Sequence, residues 1–320
     1  PSSPGYSVAN LGSSTQDGCD PGTYQPNFAS SSCIEASLGH YVENENATAQ
    51  LSCTLGTYQP NYASTSCILA EPGHWVESDG ASQTQSCPLG TYGTSVGAVG
   101  IETCISADPG YYVDSTGASS QLECIAGTYN PVIGAISSAD CLAADAGNYV
   151  ESSGSSEQTP CDLGTYQPNS GQIFCLESSS GTYVSNTGSS SVSDCSEGTY
   201  QPNSGQSECI DTSPGYFTSS VRASVQTPCL AGSYQPDPGS ITCLQADAGY
   251  HVPIEGQNMQ TICPAGQYQP QPSSTECLIT NPGEYSSEGS TSPSPCLAGS
   301  YQSDSGQSGC VLADAGYYSS

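Results

Sequence analysis

Apolar residues along this chain do not form the 3.6-residue stripe of an amphipathic helix. What recurs is a single aromatic side chain two residues after a glycine. Gly22, Gly39, Gly56, Gly73 and Gly90 each lie 17 residues from the last. Of nineteen such slots, seventeen hold Tyr, Trp or Phe, among them Tyr24, Tyr41, Tyr58, Trp75, Tyr112, Tyr166, Phe217 and Tyr285; Ser7 and His251 are the exceptions. A large ring buries roughly 150–250 Å², so the aromatic slot is expected to form the core, each ring covering a disulfide and the next repeat.

The polar residues around the slot read as turns. Gln-Pro-Asn follows the Tyr at Gln59 to Asn61 and Gln201 to Asn203. Proline presets φ at the first central position of a reverse turn, and Asn tolerates the second. Ser-Gly-Gln then recurs at Ser170 to Gln172, Ser204 to Gln206 and Ser305 to Gln307, and its glycine is expected at positive φ. Strands of three to five residues on either side complete a hairpin-like element repeated every 17 residues. A further row, Ser37, Glu71, Asp108, Asp145, Ser179, Ser213, Asp247, Asn281 and Asp314, precedes a glycine by two residues and suits side-chain-closed turns. The competing reading is a row of calcium ligands. Calcium wants six to eight oxygens, and one carboxylate per repeat falls short of that unless other groups converge. No cofactor is therefore expected, with calcium the one candidate.

Cysteine sets the longer period. The 18 cysteines alternate gaps near 14 and 20, summing to 34. A helical tetratricopeptide array shares that length, but Pro and Gly in every unit exclude it. The repeats are residues 19–52, 53–86, 87–123, 124–160, 161–194, 195–228, 229–262, 263–295 and a partial 296–320, preceded by a partial 1–18. Repetition leaves two regular pairing schemes. One joins Cys33 to Cys53 and orphans the end cysteines. The other, expected here, closes the shorter loop and leaves no thiol free: Cys19–Cys33, Cys53–Cys67, Cys87–Cys104, Cys124–Cys141, Cys161–Cys175, Cys195–Cys209, Cys229–Cys243, Cys263–Cys277 and Cys296–Cys310.

Composition narrows the class. Apolar residues are 35% and charged residues 10%, against 36 Gly and 23 Pro. So little apolar surface points to an extended array of covalently held units rather than a large core. The fold class expected is a small disulfide-rich β protein, an elongated tandem-repeat rod of short hairpins with essentially no helix. Asp and Glu number 30, and Arg222 is the only base, for a net charge of -29. Nucleic-acid binding, which needs Lys and Arg against phosphate, is excluded on that balance. No run of 18 apolar residues spans a membrane, and the regular cysteines require an oxidising compartment. The start at Pro1, without Met, reads as a mature form or an excerpt of a longer chain.

Two loops run three residues longer than the others, at Thr94 to Gly100 and Pro131 to Ile136. Their Val96, Val99, Ile101, Val132, Ile133 and Ile136 are expected to pack within longer turns or to form a lateral contact between neighbouring chains. Asn46-Ala47-Thr48 is the one N-glycosylation acceptor, and the Ser/Thr-rich links suit O-glycans. His40, His74 and His251 are too dispersed for a catalytic constellation, and no nucleophile elbow, phosphate loop or zinc spacing is present. An enzyme is not expected.

The pattern Cys-x-x-Gly-Thr-Tyr…Cys, as at Cys53 to Tyr58 and Cys195 to Tyr200, resembles the ephrin-receptor-like cysteine-rich repeat, a relative of growth-factor-receptor and tumour-necrosis-factor-receptor modules. The chain departs from many members in carrying only two cysteines per 34 residues. The resemblance implies extended ladders in ectodomains and surface proteins and offers no catalytic residue. The expected function is an extracellular structural protein of a filament, hair, stalk or adhesin, whose partners are further copies or other extracellular structural proteins. A ligand-binding receptor ectodomain is the alternative.

Overall fold

The computed structural model describes residues 1–10, 12–314 and 316. The nineteenth aromatic slot, Tyr318, lies outside them. Two units are distinguished, Pro1–Asp145 with Tyr149–Thr159 and Ser170–Ile173, and Ala146–Asn148 with Pro160–Asn169 and Phe174–Ser320. Each is built the same way.

Among the described residues, thirty-six strands of only two residues pair as eighteen two-stranded hairpins, here called rungs and numbered in chain order. Rung 2 pairs Thr23–Tyr24 antiparallel with Ile34–Glu35, and rung 12 pairs Thr199–Tyr200 with Ile210–Asp211. No α-helix occurs among the described residues; Ile101–Thr103 and Ser138–Asp140 form single 3₁₀ turns.

Each rung starts at a tight turn. In Asp20-Pro21-Gly22-Thr23, the Thr23 N–H donates to the Asp20 carbonyl at 3.0 Å, and Gly22 takes φ 89°. Proline at the first central position and a positive-φ glycine at the second are the requirements of a type II turn. Ser37, Glu71, Asp108, Ser213 and Asp247 likewise open such turns through their carbonyls.

The strands are shorter than the expected three to five residues because the next N–H leaves the hairpin. Gln25 N–H donates to Ala47 C=O at 3.0 Å and Val42 N–H to Ser64 C=O at 2.9 Å, each in the following rung. Turn glycines do the same: Gly22 N–H bonds Val42 C=O at 2.8 Å, and Gly198 N–H bonds Thr218 C=O at 3.0 Å. A third bond skips a rung. Ala63 N–H, at the tip of rung 4, reaches back to Ala36 C=O at 2.9 Å, before rung 3; Arg222 N–H, at the tip of rung 13, reaches Cys195 C=O at 2.7 Å, before rung 12. Backbone groups that would be orphaned in an isolated hairpin are thus satisfied by neighbouring rungs, and each tip stacks on the turn glycine two rungs earlier.

The interior is narrow and partly polar. Fully enclosed residues are the first cysteine of each pair from Cys19 to Cys263, except at the chain's end, small residues such as Ala36, Ala107, Thr212 and Thr280, and the valines after the odd-rung aromatics, such as Val42, Val113 and Val252. The Tyr rings are half-buried rather than central. The expected ring-on-disulfide packing is clearest at Trp75, which lies with Ala98 against Cys87 and Cys104 of rung 6.

Gln-Pro-Asn does not close as a backbone reverse turn. Gln25, Gln59, Gln167, Gln201, Gln235 and Gln269 are buried. In rung 12 the Asn203 N–H donates to Gln201 Oε1 at 3.1 Å, and Gln201 Nε2 donates to the Glu208 carbonyl at 2.8 Å. The amide bridges both legs of the loop just before the second cysteine. Asn130 replaces it in rung 8, accepting from Val132 N–H at 3.0 Å. The positive-φ residue comes later, at the tip: Gly171 (φ 71°), Gly205 (φ 69°) and Gly306 (φ 72°), with Ala63 (φ 53°) in the same place. Among the described residues, Trp75 Nε1 is the one buried side-chain polar atom without a partner. Substituting Gln201→Ala removes two hydrogen bonds from a buried amide, Asn203 N–H to Oε1 and Nε2 to Glu208 C=O, each worth about 0.5–1.5 kcal/mol net. A matching fall in unfolding free energy, measured by denaturant titration, is the expected result.

Candidate functional site: the stapled ladder and its exposed aliphatic column

The structure joins the cysteines as Cys19–Cys33, Cys53–Cys67, Cys87–Cys104, Cys124–Cys141, Cys161–Cys175, Cys195–Cys209, Cys229–Cys243, Cys263–Cys277 and Cys296–Cys310, with no free thiol. Each bridge ties the start of an even rung to the residue before its return strand. Cα separations of 5.6–5.8 Å are those of ordinary disulfides.

Odd rungs carry a non-covalent counterpart at the same two positions. Ala36 and Gln50 stand 14 residues apart, as Cys19 and Cys33 do. Gln50 Oε1 accepts the N–H of Ser37, next to Ala36, at 2.8 Å. The arrangement repeats at Gln121 with Asp108 (2.8 Å), Gln158 with Asp145 (2.7 Å), Gln226 with Ser213 (2.7 Å) and Gln260 with Asp247 (2.7 Å). Where the turn residue is Asp, the amide also donates to its carboxylate, at 2.8–2.9 Å in Asp108, Asp145 and Asp247. These three carboxylates, members of the row weighed above as calcium ligands, are thus engaged with glutamine amides. Sulfur bridges on the even rungs are thus joined by amide bridges on most odd rungs, with Thr84, Val192 and Pro293 in the glutamine's place on rungs 5, 11 and 17, and sequence reading missed the second kind. Its signal was present: Gln recurs one residue before the odd-rung return strand.

The two long loops are tied by polar contacts rather than by packing on themselves. Ser137 and Ile136 N–H groups donate to Asp140 Oδ2 at 3.1 and 3.0 Å, Ala139 N–H to Ser137 Oγ at 3.1 Å, and Thr103 Oγ1 to Gly100 C=O at 2.6 Å. Their apolar side chains point outward. Val96, Val99, Ile101, Val132, Ile133 and Ile136 are 44–67% exposed.

Stacking of alternate rungs brings several of them together. The rung 6 tip binds Ala70 C=O through Gly97 N–H (2.7 Å), setting Val99 beside Gly56. The rung 8 tip binds Ala107 C=O through Gly134 N–H (2.8 Å), setting Ile136 beside Gly90. The rung 10 tip binds Ala144 C=O through Gly171 N–H (2.7 Å), setting Ile173 beside Gly127. Val99, Ile136 and Ile173 therefore occupy equivalent places on successive even rungs, an exposed column; of the three, the sequence analysis singled out Val99 and Ile136 as loop residues but not Ile173. Beside it, Val132, Ile136, Ala139 and Leu142 line an open concavity of about 470 Å³. Even rungs add an outward pair each, Tyr24 opposite Ile34, Tyr58 opposite Ile68 and Tyr200 opposite Ile210, the aliphatic member 40–45% exposed.

Asn46 stands exposed at the rung 3 tip, with φ 57° and its N–H bonded to Cys19 C=O at 2.8 Å. Arg222, at the rung 13 tip, forms an exposed ion pair with Asp194 at 3.8 Å. His40 and His74 bond the turn carbonyls of Leu38 and Pro72, while His251 lies elsewhere, against Cys277. No helix among the described residues is long and apolar enough to cross a membrane.

These features define a disulfide-rich β tandem repeat, a class that forms its bridges in oxidising surroundings. Residues 147–195 match the family described as tyrosine-protein kinase ephrin type A/B receptor-like. The matched stretch contains the Cys161–Cys175 bridge and the motif that carries the resemblance in the sequence. No curated protein matches the chain.

Proposed function

We propose that this chain is an extracellular structural protein, a repeat of a surface filament, hair, stalk or adhesin, and that it works without catalysis. The observation that carries this reading is the hydrogen-bonded ladder itself. Rungs within a unit are held by their neighbours through main-chain bonds, every even rung by a disulfide and most odd rungs by a glutamine amide, a construction that extends by adding rungs. The match to an ectodomain repeat family and the nine disulfides support the extracellular location. A net charge of -29 keeps copies apart except at low-charge contact faces, and the aliphatic column offers one.

Electron microscopy of the native material is the test. Regular fibres composed of this protein are expected, and Val96→Ser with Val99→Ser is expected to weaken lateral association at least severalfold in sedimentation. Unchanged association in the double variant would remove the lateral contact, and dispersed particles in native material would remove the filament. The second reading, a ligand-binding ectodomain, draws on the same exposed column. It is favoured if a saturable partner maps to residues 94–136 while the protein itself stays dispersed.

A further inference from the structure

In each odd rung the side chain two residues after the turn glycine is normally an aromatic ring, as Trp75 is against the Cys87–Cys104 bridge of the next rung. Rung 15 breaks this rule. His251 takes the slot, and its Nδ1 lies 3.1 Å from Cys277 Sγ in the bridge of rung 16. Its Nδ1 or Nε2 and the sulfurs of Cys263 and Cys277 all lie within 4.8 Å of one another, the one such grouping of His, Cys, Asp and Glu among the described residues. His40 and His74 sit one position earlier in their rungs, face turn carbonyls and approach no sulfur.

We propose that rung 16 is a redox-gated site for a thiophilic metal ion, Zn²⁺ or Cu⁺, formed by Cys263, Cys277 and His251 once their disulfide is opened. Two thiolates and one imidazole are the soft and borderline donors such ions select, and three protein ligands leave one coordination position open. Rung 15 and its hydrogen bonds to rung 16 hold the imidazole in place before any metal arrives: Gly249 N–H bonds Gln269 C=O at 2.8 Å, and Val252 N–H bonds Ser274 C=O at 2.9 Å. In the oxidised chain the bridge occupies both sulfurs.

The gate is thiol–disulfide exchange with a dithiol reductant. One reductant thiolate attacks the half-buried Cys277 sulfur, and Cys263 departs as a thiolate. The reductant's second thiol then displaces Cys277, leaving two cysteine thiols and the reductant's own cyclic disulfide. Metal binding releases the two thiol protons. An imidazole N–H beside the sulfurs stabilises thiolate there, so this bridge opens ahead of those whose neighbour is an aromatic ring. This inference stands independently of the filament reading.

The test uses the full chain. Limiting dithiothreitol is followed by alkylation and peptide mass spectrometry, and in parallel the partly reduced protein is titrated with Co²⁺ and back-titrated with Zn²⁺. Expected are first labelling at Cys263 and Cys277, and one Co²⁺ per chain with a thiolate charge-transfer band that Zn²⁺ abolishes. His251→Tyr restores the ring found in most other odd rungs and keeps both thiols. It should remove the labelling preference and weaken Co²⁺ binding by more than the 10- to 100-fold typical of losing an outer-shell partner. Opening of all nine bridges together, or labelling and Co²⁺ binding identical in His251→Tyr, would overturn the proposal.

Discussion

Complete reduction and alkylation of the nine bridges should abolish the native structure, with loss of the tyrosine near-ultraviolet signal and rapid chymotryptic cleavage throughout the chain. The reason lies in what each hairpin has to hold it. Its two strands have two residues each, its interior is a cysteine, a small residue and a valine or a hydrogen-bonded glutamine, and its rings are half-exposed. Ordering a residue costs about 1.5 kcal/mol, which so little apolar burial does not offset unaided. Closing a loop of this size stabilises by about 3 kcal/mol in the chain-entropy description. The amide bridges of the odd rungs are hydrogen bonds worth about 1 kcal/mol net each, so they depend on the sulfur-stapled rungs on either side. A reduced, alkylated chain that kept the tyrosine signal and resisted chymotrypsin would mean that inter-rung hydrogen bonds alone suffice.

Gly110→Ala should destabilise the first unit far more than the same methyl added at a loop tip. Gly110 takes φ 89°, where a Cβ costs about 1–2 kcal/mol. That Cβ would also press on the Gly154 carbonyl, backbone of the tip stacked from rung 9, which has no side chain to swing aside. Displacing that tip loosens the bond from Gly154 N–H to Cys124 C=O, now 2.8 Å. The expected loss is about 3 kcal/mol or more, read as hydrogen-exchange protection lost at both Gly110 and Gly154. Gly171→Ala is the matched control. It has a similar φ of 71°, but its added Cβ would meet only the Ala143 methyl at 3.8 Å. Ala29 and Ala63 already occupy the same tip position elsewhere, at φ 56° and 53°. The control should lose only the strain, about 1–2 kcal/mol. Equal losses at the two sites would place the whole effect in φ and none in the stacking.

Much of this architecture was legible because it repeats. A glycine recurring mostly every 17 residues reads directly as a turn, and two cysteines per 34 residues limit regular pairing to two schemes. The role of Gln201 and its equivalents was not legible. A glutamine beside proline in a loop looks solvated, and only the approach of the Glu208 carbonyl from seven residues away encloses it. The tyrosines misled in the opposite direction. Their size suggested the core, but a ladder of two-residue strands mostly encloses cysteine, small residues, valine and hydrogen-bonded glutamine. Ile173 escaped notice because its neighbours Ile136 and Val99 lie 37 and 74 residues earlier in the chain, adjacent only once alternate rungs stack.

The amino-acid sequence by itself determined the period, the turn positions, the oxidising chemistry and the acidic surface, since each follows from residue types acting within one loop or summed over the chain. Tertiary structure alone decided which rung supports which: the tip that caps the turn two rungs earlier, the amide bridge that stands in for sulfur, and the histidine laid against a disulfide. The physical reason is that the bonds between rungs are mostly made by backbone N–H and C=O groups. Every residue but proline carries both, so no pattern of side chains marks their partners in advance.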